Sequence, residues 1–117
     1  MIEDILTKTV AEEGLETGIQ KYRQLRDRYH GGYTFDFSER VLMRIAENYG
    51  ASGEFNNALG FIDLNLEFFP KSSRTYVLRA QVKTELQDFE GARGDYTKAL
   101  EIEPNSDFIK RQLASLD

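Results

Sequence analysis

The chain has 117 residues, 40% of them hydrophobic and 30% charged, with a formal net charge of −5 and no cysteine. That length and composition fit one ordinary globular domain, and the absence of thiols excludes a disulfide framework, a thiolate metal site and a cysteine nucleophile. The acidic balance argues against nucleic acid as a partner, because neutralising phosphates takes a surplus of Lys and Arg.

The chain opens on Met1-Ile2-Glu3-Asp4, which lacks the basic start and continuous apolar stretch of a signal peptide. No apolar run approaches the roughly 20 residues needed to span a bilayer, so no membrane segment is expected. Ile2, Ile5, Leu6, Thr9 and Val10 recur at helical spacing and predict a first amphipathic helix. Gly14 breaks it. Gly18, Tyr22, Leu25 and Tyr29 then predict a second helix, ended by His30-Gly31-Gly32.

The stretch Gly32-Tyr33-Thr34-Phe35-Asp36-Phe37 alternates aromatic with polar residues. Two readings of it stay open. Its rings plug a gap between two helical units, or one of them, Tyr33 or Phe35, contacts a partner, since aromatic residues anchor interfaces.

Ser38 is the expected N-cap of a third helix, its hydroxyl taking a free backbone N–H. Val41, Leu42, Ile45, Ala46 and Tyr49 form that helix's apolar stripe, and Gly50-Ala51-Ser52-Gly53 ends it. Ala58, Leu59, Ile62, Leu66 and Phe69 predict a fourth helix that stops at Pro70. Tyr76, Val77, Ala80 and Leu86 predict a fifth. Ala92, Tyr96, Ala99, Leu100 and Ile102 predict a sixth, ended by Pro104-Asn105. A short last helix carries Phe108, Ile109, Leu113 and Leu116. Ile109, Leu113 and Leu116 can cover the preceding apolar face, with Lys110, Arg111 and Gln112 turned to water.

Pro70 and Pro104, the only prolines, stand 34 residues apart. At that offset Glu54 falls on Asp88, Phe55 on Phe89, Ala58 on Ala92, Leu66 on Leu100, Phe68 on Ile102, and Ala46 on Ala80. A fixed period of this kind marks a helical repeat. The expected fold is all-α: one domain, a solenoid of antiparallel helix pairs. Its parts are a degenerate repeat (1–30), an aromatic inter-repeat loop (31–38), two repeats (39–72 and 73–106) and a capping helix (107–117). Small residues let paired helices approach, so Ala46 with Ala58, and Ala80 with Ala92, are the expected crossings. Gly18 holds the corresponding place in the degenerate unit, and Phe55 and Phe89 should fill the space beside each turn.

The period and these residues resemble the tetratricopeptide repeat (TPR) family. The first copy offers Leu42, Ile45, Ala46, Tyr49, Gly53, Phe55, Ala58, Ile62 and Pro70 to that family's pattern. The second offers Tyr76, Ala80, Phe89, Ala92, Tyr96, Ala99 and Pro104. It departs at Arg79, Lys83 and Gln87, where Leu, Tyr and Gly are usual, and the first copy departs at Asn65, where Ala is usual. The resemblance implies a protein-binding solenoid whose concave face is lined by the first helix of each pair. By register those lining residues are Arg40, Met43, Arg44 and Glu47, then Arg74, Val77, Leu78 and Gln81. Some TPR proteins grip a C-terminal carboxylate with Lys and Asn. Met43 and Glu47 stand at those places here, which disfavours chaperone-tail binding. Arg40, Arg44 and Arg74 can still attract an acidic peptide.

A second resemblance runs through Gly-Gly-Tyr-Thr-Phe-Asp-Phe-Ser-Glu, Asp63-Leu64-Asn65-Leu66-Glu67 and Phe69-Pro70-Lys71-Ser72. These look like a helical tail appended to bacterial serine β-lactamase-like hydrolases and esterases. That implies an accessory C-terminal domain, periplasmic or exported. A natural start at Met1 implies instead a free-standing cytoplasmic module. No Ser-x-x-Lys or Gly-x-Ser-x-Gly occurs in the chain.

Little else in the sequence carries chemistry. His30 is the one histidine, so no His/Cys metal site is expected. Glu12-Glu13 and Glu101/Glu103 fit solvated helix faces. Gly31-Gly32 follows a helix, and Gly91 and Gly94 sit inside one, so no phosphate loop is present. Lys21, Arg23, Arg26 and Arg28 alternate with Asp27 and apolar positions, as on a solvated face. The expectation is a non-catalytic protein–protein interaction module with no cofactor and no metal, binding a protein or peptide. The alternatives are an accessory hydrolase domain and a homodimer that buries the solenoid's apolar ends.

Overall fold

The computed structural model describes residues 1–29 and 35–116, and all regular elements within them are α-helices. In chain order these are α1 (Ile2–Glu13), α2 (Leu15–Tyr29), α3 (Glu39–Ala51), α4 (Phe55–Phe68), α5 (Ser73–Glu85), α6 (Phe89–Ile102) and α7 (Asp107–Ser115). They divide between two compact units, Met1–Leu64 and Asn65–Asp117.

The first unit begins with a tight helical hairpin. Ile2, Leu6 and Val10, one per turn, form the buried stripe of α1. Gly14 reverses the chain in a single residue at φ 97°, a value that favours glycine. Its N–H donates to Val10 O at 2.9 Å. Gly18 is buried where α2 crosses α1, and a Cβ there would sit 2.5 Å from Val10 Cγ2. The crossing therefore admits a hydrogen and no methyl group, one step closer than an alanine crossing.

Farther along α2, Tyr22 is fully buried. Its hydroxyl accepts from Arg26 Nη1 at 3.0 Å, and the same nitrogen donates to Phe37 O at 3.1 Å. Arg26 is therefore a tether between α2 and the segment before α3, not part of a solvated basic face.

Ser38 does stand at the N-cap of α3, but its hydroxyl makes no capping bond. Asp36 takes part instead: its Oδ1 accepts from Ser38 N–H at 2.8 Å. Val41, Leu42, Ile45 and Ala46 form the buried stripe of α3, as their spacing predicts. On α4, Ala58, Phe61, Ile62 and Leu64 are buried. Tyr49 stacks on Phe61 with centroids 5.9 Å apart and ring planes at 13°. Each large apolar side chain buried here contributes roughly 1.5–3 kcal/mol, which is what holds α3 and α4 as helices.

The second unit is built on α5, α6 and α7. Ala80, Ala92, Tyr96, Ala99 and Ile109 form its core, with Tyr76, Val77, Leu100, Leu113 and Leu116 packed around them. Three alanines bring α5 and α6 close, and α7 supplies Ile109, Leu113 and Leu116 as the cover. Lys110 and Arg111 are exposed on its far side. Caps fix the helix starts. Ser72 Oγ accepts from Thr75 N at 3.2 Å, Asp88 Oδ1 from Gly91 N at 3.0 Å, and Ser106 Oγ from Ile109 N at 3.3 Å.

Two apolar residues depart from expectation. Leu86 is 45% exposed and Phe89 48% exposed. Leu86 is the C-cap of α5 and Phe89 opens α6, so both project from the turn and neither joins a packed stripe. Phe89 therefore does not act as a buried filler beside its turn.

Candidate functional site

The surface predicted to bind lies on α3 and α5, each described within its own unit. On α3, burial of Val41, Leu42, Ile45 and Ala46 leaves Arg40, Arg44 and Glu47 exposed. Residues three and four apart lie on one side of a helix, so these three share a face. Met43 differs: it is 7% exposed and packs inward. On α5, Arg74 and Gln81 are exposed, and Val77 and Leu78 are half-buried. Val77 packs against the alanine core of its unit.

Arg44 forms an ion pair with Glu3, from the first turn of α1. Helices α1 and α3 pack against each other, which brings the two side chains together. Arg40 makes no hydrogen bond or ion pair with the described residues. Asp36 is held below the usual carboxylate range. The cause is first its bonds from Ser38, then the positive charges of Arg40 and Arg44. The α3 face is thus a pair of arginines flanked by two carboxylates.

Phe35 is half-buried, edge-on to Tyr29 at 5.3 Å and to Phe37 at 6.1 Å. Phe37 meets Tyr22 edge-on at 5.8 Å. This is the packing that a gap-filling role calls for. Tyr33 lies outside the described residues.

Sequence reasoning missed a charged cluster in the second unit. Arg79 clasps Asp95 with two bonds, Nε to Oδ2 at 3.0 Å and Nη2 to Oδ1 at 2.9 Å. Lys83 Nζ lies 3.0 Å from the same Oδ2. The Arg79 guanidinium also lies 5.4 Å from the centre of the Tyr76 ring. Asp95 is 5% exposed. Placing the copies at their offset held the signal: Arg79, Lys83 and Asp95 fall on Ile45, Tyr49 and Phe61.

Elsewhere, a cleft of about 500 Å³ between α1 and α2 is lined by Thr9, Glu13, Glu16, Thr17, Gln20 and Lys21, among other polar residues. Among the described residues, no group of three or more His, Cys, Asp or Glu could hold a metal ion. No helix among them is long and apolar enough to cross a membrane.

No family model matches the chain. Two rice proteins, the DnaJ protein P58IPK homologs A and B of Oryza sativa subsp. japonica, are each 33% identical over 63 residues. The match takes in 54% of this chain and 13% of each relative's length. Solved structures match far more of it. The first TPR of Spaghetti (RPAP3), bound to the HSP90 peptide SRMEEVD, superposes with a TM-score of 0.65 at 20% identity, over 98% of this chain and 86% of that one. The Sgt2 TPR domain from Aspergillus fumigatus gives 0.63 at 24% identity, over 98% and 74%. The second TPR domain of human RPAP3, in complex with the HSP70 peptide SGPTIEEVD, gives 0.65 at 16% identity, over 98% and 91%.

The chain has the tetratricopeptide-repeat fold. In TPR terms, α3 and α5 are the first helices of their pairs, and α4 and α6 the second. Ala58 and Ala92 occupy the small-residue crossing of each pair and are fully buried. The departures at Arg79 and Lys83 are a matched set, compensated across the TPR helix pair by Asp95. The resemblance to a hydrolase tail finds no support in these proteins.

Proposed function

We propose that this TPR chain is a non-catalytic module that binds an acidic peptide or protein segment, using the exposed faces of its first helices. The observation that carries the proposal is the α3 face, where Arg40 and Arg44 are exposed one turn apart. Within the second unit, Arg74 is likewise exposed on α5. Two neighbours in fold are seen with peptides, SRMEEVD on Spaghetti and SGPTIEEVD on human RPAP3, and both peptides carry adjacent glutamates.

Charge fits this reading. A guanidinium presents a planar fork that matches a carboxylate with two parallel bonds. The chain as a whole is acidic, so an acidic segment is repelled except where arginines cluster. Met43 is buried and Glu47 is anionic, at the places where clamp-type TPR proteins hold a terminal carboxylate. Side-chain carboxylates are therefore the expected ligand atoms, rather than the chain end.

Fluorescence anisotropy tests this with labelled heptapeptides of acidic, neutral and basic composition, each as free acid and as C-terminal amide. Acidic peptides should bind best, and amidation should change little. Arg44→Glu should weaken acidic-peptide binding by tenfold or more, since it replaces an attraction with a repulsion. Unchanged affinity in Arg44→Glu removes the α3 face from the site. Equal binding of all compositions removes the charge argument.

A further inference from the structure

The proposed binding face already holds a carboxylate of its own. Glu3 reaches Arg44 across the α1–α3 contact. Its side chain is 19% exposed and that of Arg44 is 50% exposed, so both groups stay open to solvent. The other nearby carboxylate is fixed differently. Asp36 is tied by Ser38 N–H at 2.8 Å, on a short side chain next to the backbone that holds it. Glu3 has one more rotatable bond, and its ion pair with Arg44 is the contact the structure shows for its carboxylate.

We infer that Glu3 is an internal competitor for the Arg44 guanidinium, which an acidic ligand displaces when it binds. This rests on the reading of α3 as the peptide face. A carboxylate on α1 with the same chemistry as the ligand sets a threshold. Single, weakly placed acids gain too little to replace it, and adjacent acids that engage Arg40 and Arg44 together gain enough. Arg40 is the natural first contact because no described residue pairs with it. Glu3 thereby determines selectivity for closely spaced acidic side chains over isolated ones.

The test uses the full chain and the labelled peptide SRMEEVD. Affinity is measured by anisotropy for the wild type, Glu3→Gln, Asp4→Asn, Arg44→Gln and the Glu3→Gln/Arg44→Gln pair. Asp4 is the control: it is also a first-turn acid of α1, so its loss matches the change in net charge and in helix-end electrostatics. Exposed ion pairs are worth little, so Glu3→Gln should tighten binding by roughly two- to five-fold. Asp4→Asn should tighten it less, and Glu3→Gln should have no effect once Arg44 is Gln. Circular dichroism confirms that each variant is folded.

If the wild type binds and Glu3→Gln matches it, or matches Asp4→Asn, the competitor role is overturned and the peptide face survives. The same holds if the gain persists without Arg44. If neither the wild type nor Glu3→Gln binds this peptide or any acidic heptapeptide, the peptide face itself is overturned, and the competitor role falls with it.

Discussion

Lys83 Nζ lies 3.0 Å from Asp95 Oδ2 at the two positions that, 34 residues earlier, hold the stacked rings of Tyr49 and Phe61. Arg79 completes the exchange, standing where Ile45 is buried in the first copy. One helix pair solves its packing with rings and the other with charge. Removing a single member of a buried ion cluster leaves uncompensated charge, whereas replacing the whole cluster by apolar groups is often neutral or better. Asp95→Asn should therefore cost about 2–4 kcal/mol, somewhat less than a fully buried pair because Arg79 and Lys83 are partly exposed. The triple variant Arg79→Ile, Lys83→Tyr, Asp95→Phe should recover most of that loss. Urea unfolding followed by circular dichroism measures both. A triple variant no more stable than Asp95→Asn would show that the two copies are not exchangeable at this site.

Gln87 adopts φ 64°, and Gly53, its counterpart in the first copy, adopts φ 78°. Side chains other than glycine lose roughly 1–2 kcal/mol in this left-handed region. Glycine gives back part of that through its greater freedom in the unfolded chain. Gln87→Gly should thus stabilise the protein by about 0.5–1 kcal/mol, and Gln87→Val should destabilise it, because a β-branched residue fits this conformation worst. Thermal melts rank the three. A Gly variant that melts lower than the wild type rejects the strain argument.

The helix pattern was legible because apolar spacing, glycine breaks and two prolines all point to the same period. Stripes such as Val41, Leu42, Ile45 and Ala46 need only local periodicity to be found. The missed features share a different cause. Arg26, Asn65 and Asp95 are polar residues with partners on another element, and spacing along one helix does not reveal them. Asn65 was visible as a departure from Ala. Its fully buried amide donates to Thr75 Oγ1 at 3.0 Å, while its own oxygen has no hydrogen-bond partner among the described residues. The exposed arginines of the candidate surface follow directly from register. The Glu3 contact with Arg44 does not, because it depends on how α1 lies along α3.

Gly18 is required by contact and not by backbone angle. A Cβ at that position meets Val10 Cγ2 at 2.5 Å. Valine is stiff at χ1, so it cannot swing away cheaply. Gly18→Ala gains up to about 1 kcal/mol of helix propensity and loses roughly 1–3 kcal/mol to overpacking. The net expectation is a loss of about 1 kcal/mol. Adding Val10→Ala to Gly18→Ala should relieve the clash and recover part of the loss, so the two changes should be strongly non-additive. A double-mutant cycle by urea unfolding checks this. Simple additivity would mean that the hairpin opens to accept the methyl and that the close crossing is not enforced.

Stability should fall on the alkaline side for a reason that can be isolated. Burial pushes the Tyr22 hydroxyl above the ordinary tyrosine range, an effect only partly offset by its bond from Arg26. Tyr49 and Tyr96 are raised by burial too. Unfolded tyrosine titrates at about 10. Above that pH the unfolded chain releases the Tyr22 proton while the folded chain keeps it. The unfolded state is then favoured by linkage. The contribution is therefore complete below about pH 10 and is lost as pH rises toward the higher folded value. Urea midpoints at several pH values from 8 to 11 should show this decline. Tyr22→Phe should begin lower, because Arg26 loses an acceptor, but it should decline less steeply. Parallel declines in the two proteins would move the alkaline sensitivity away from Tyr22 to Tyr49 and Tyr96.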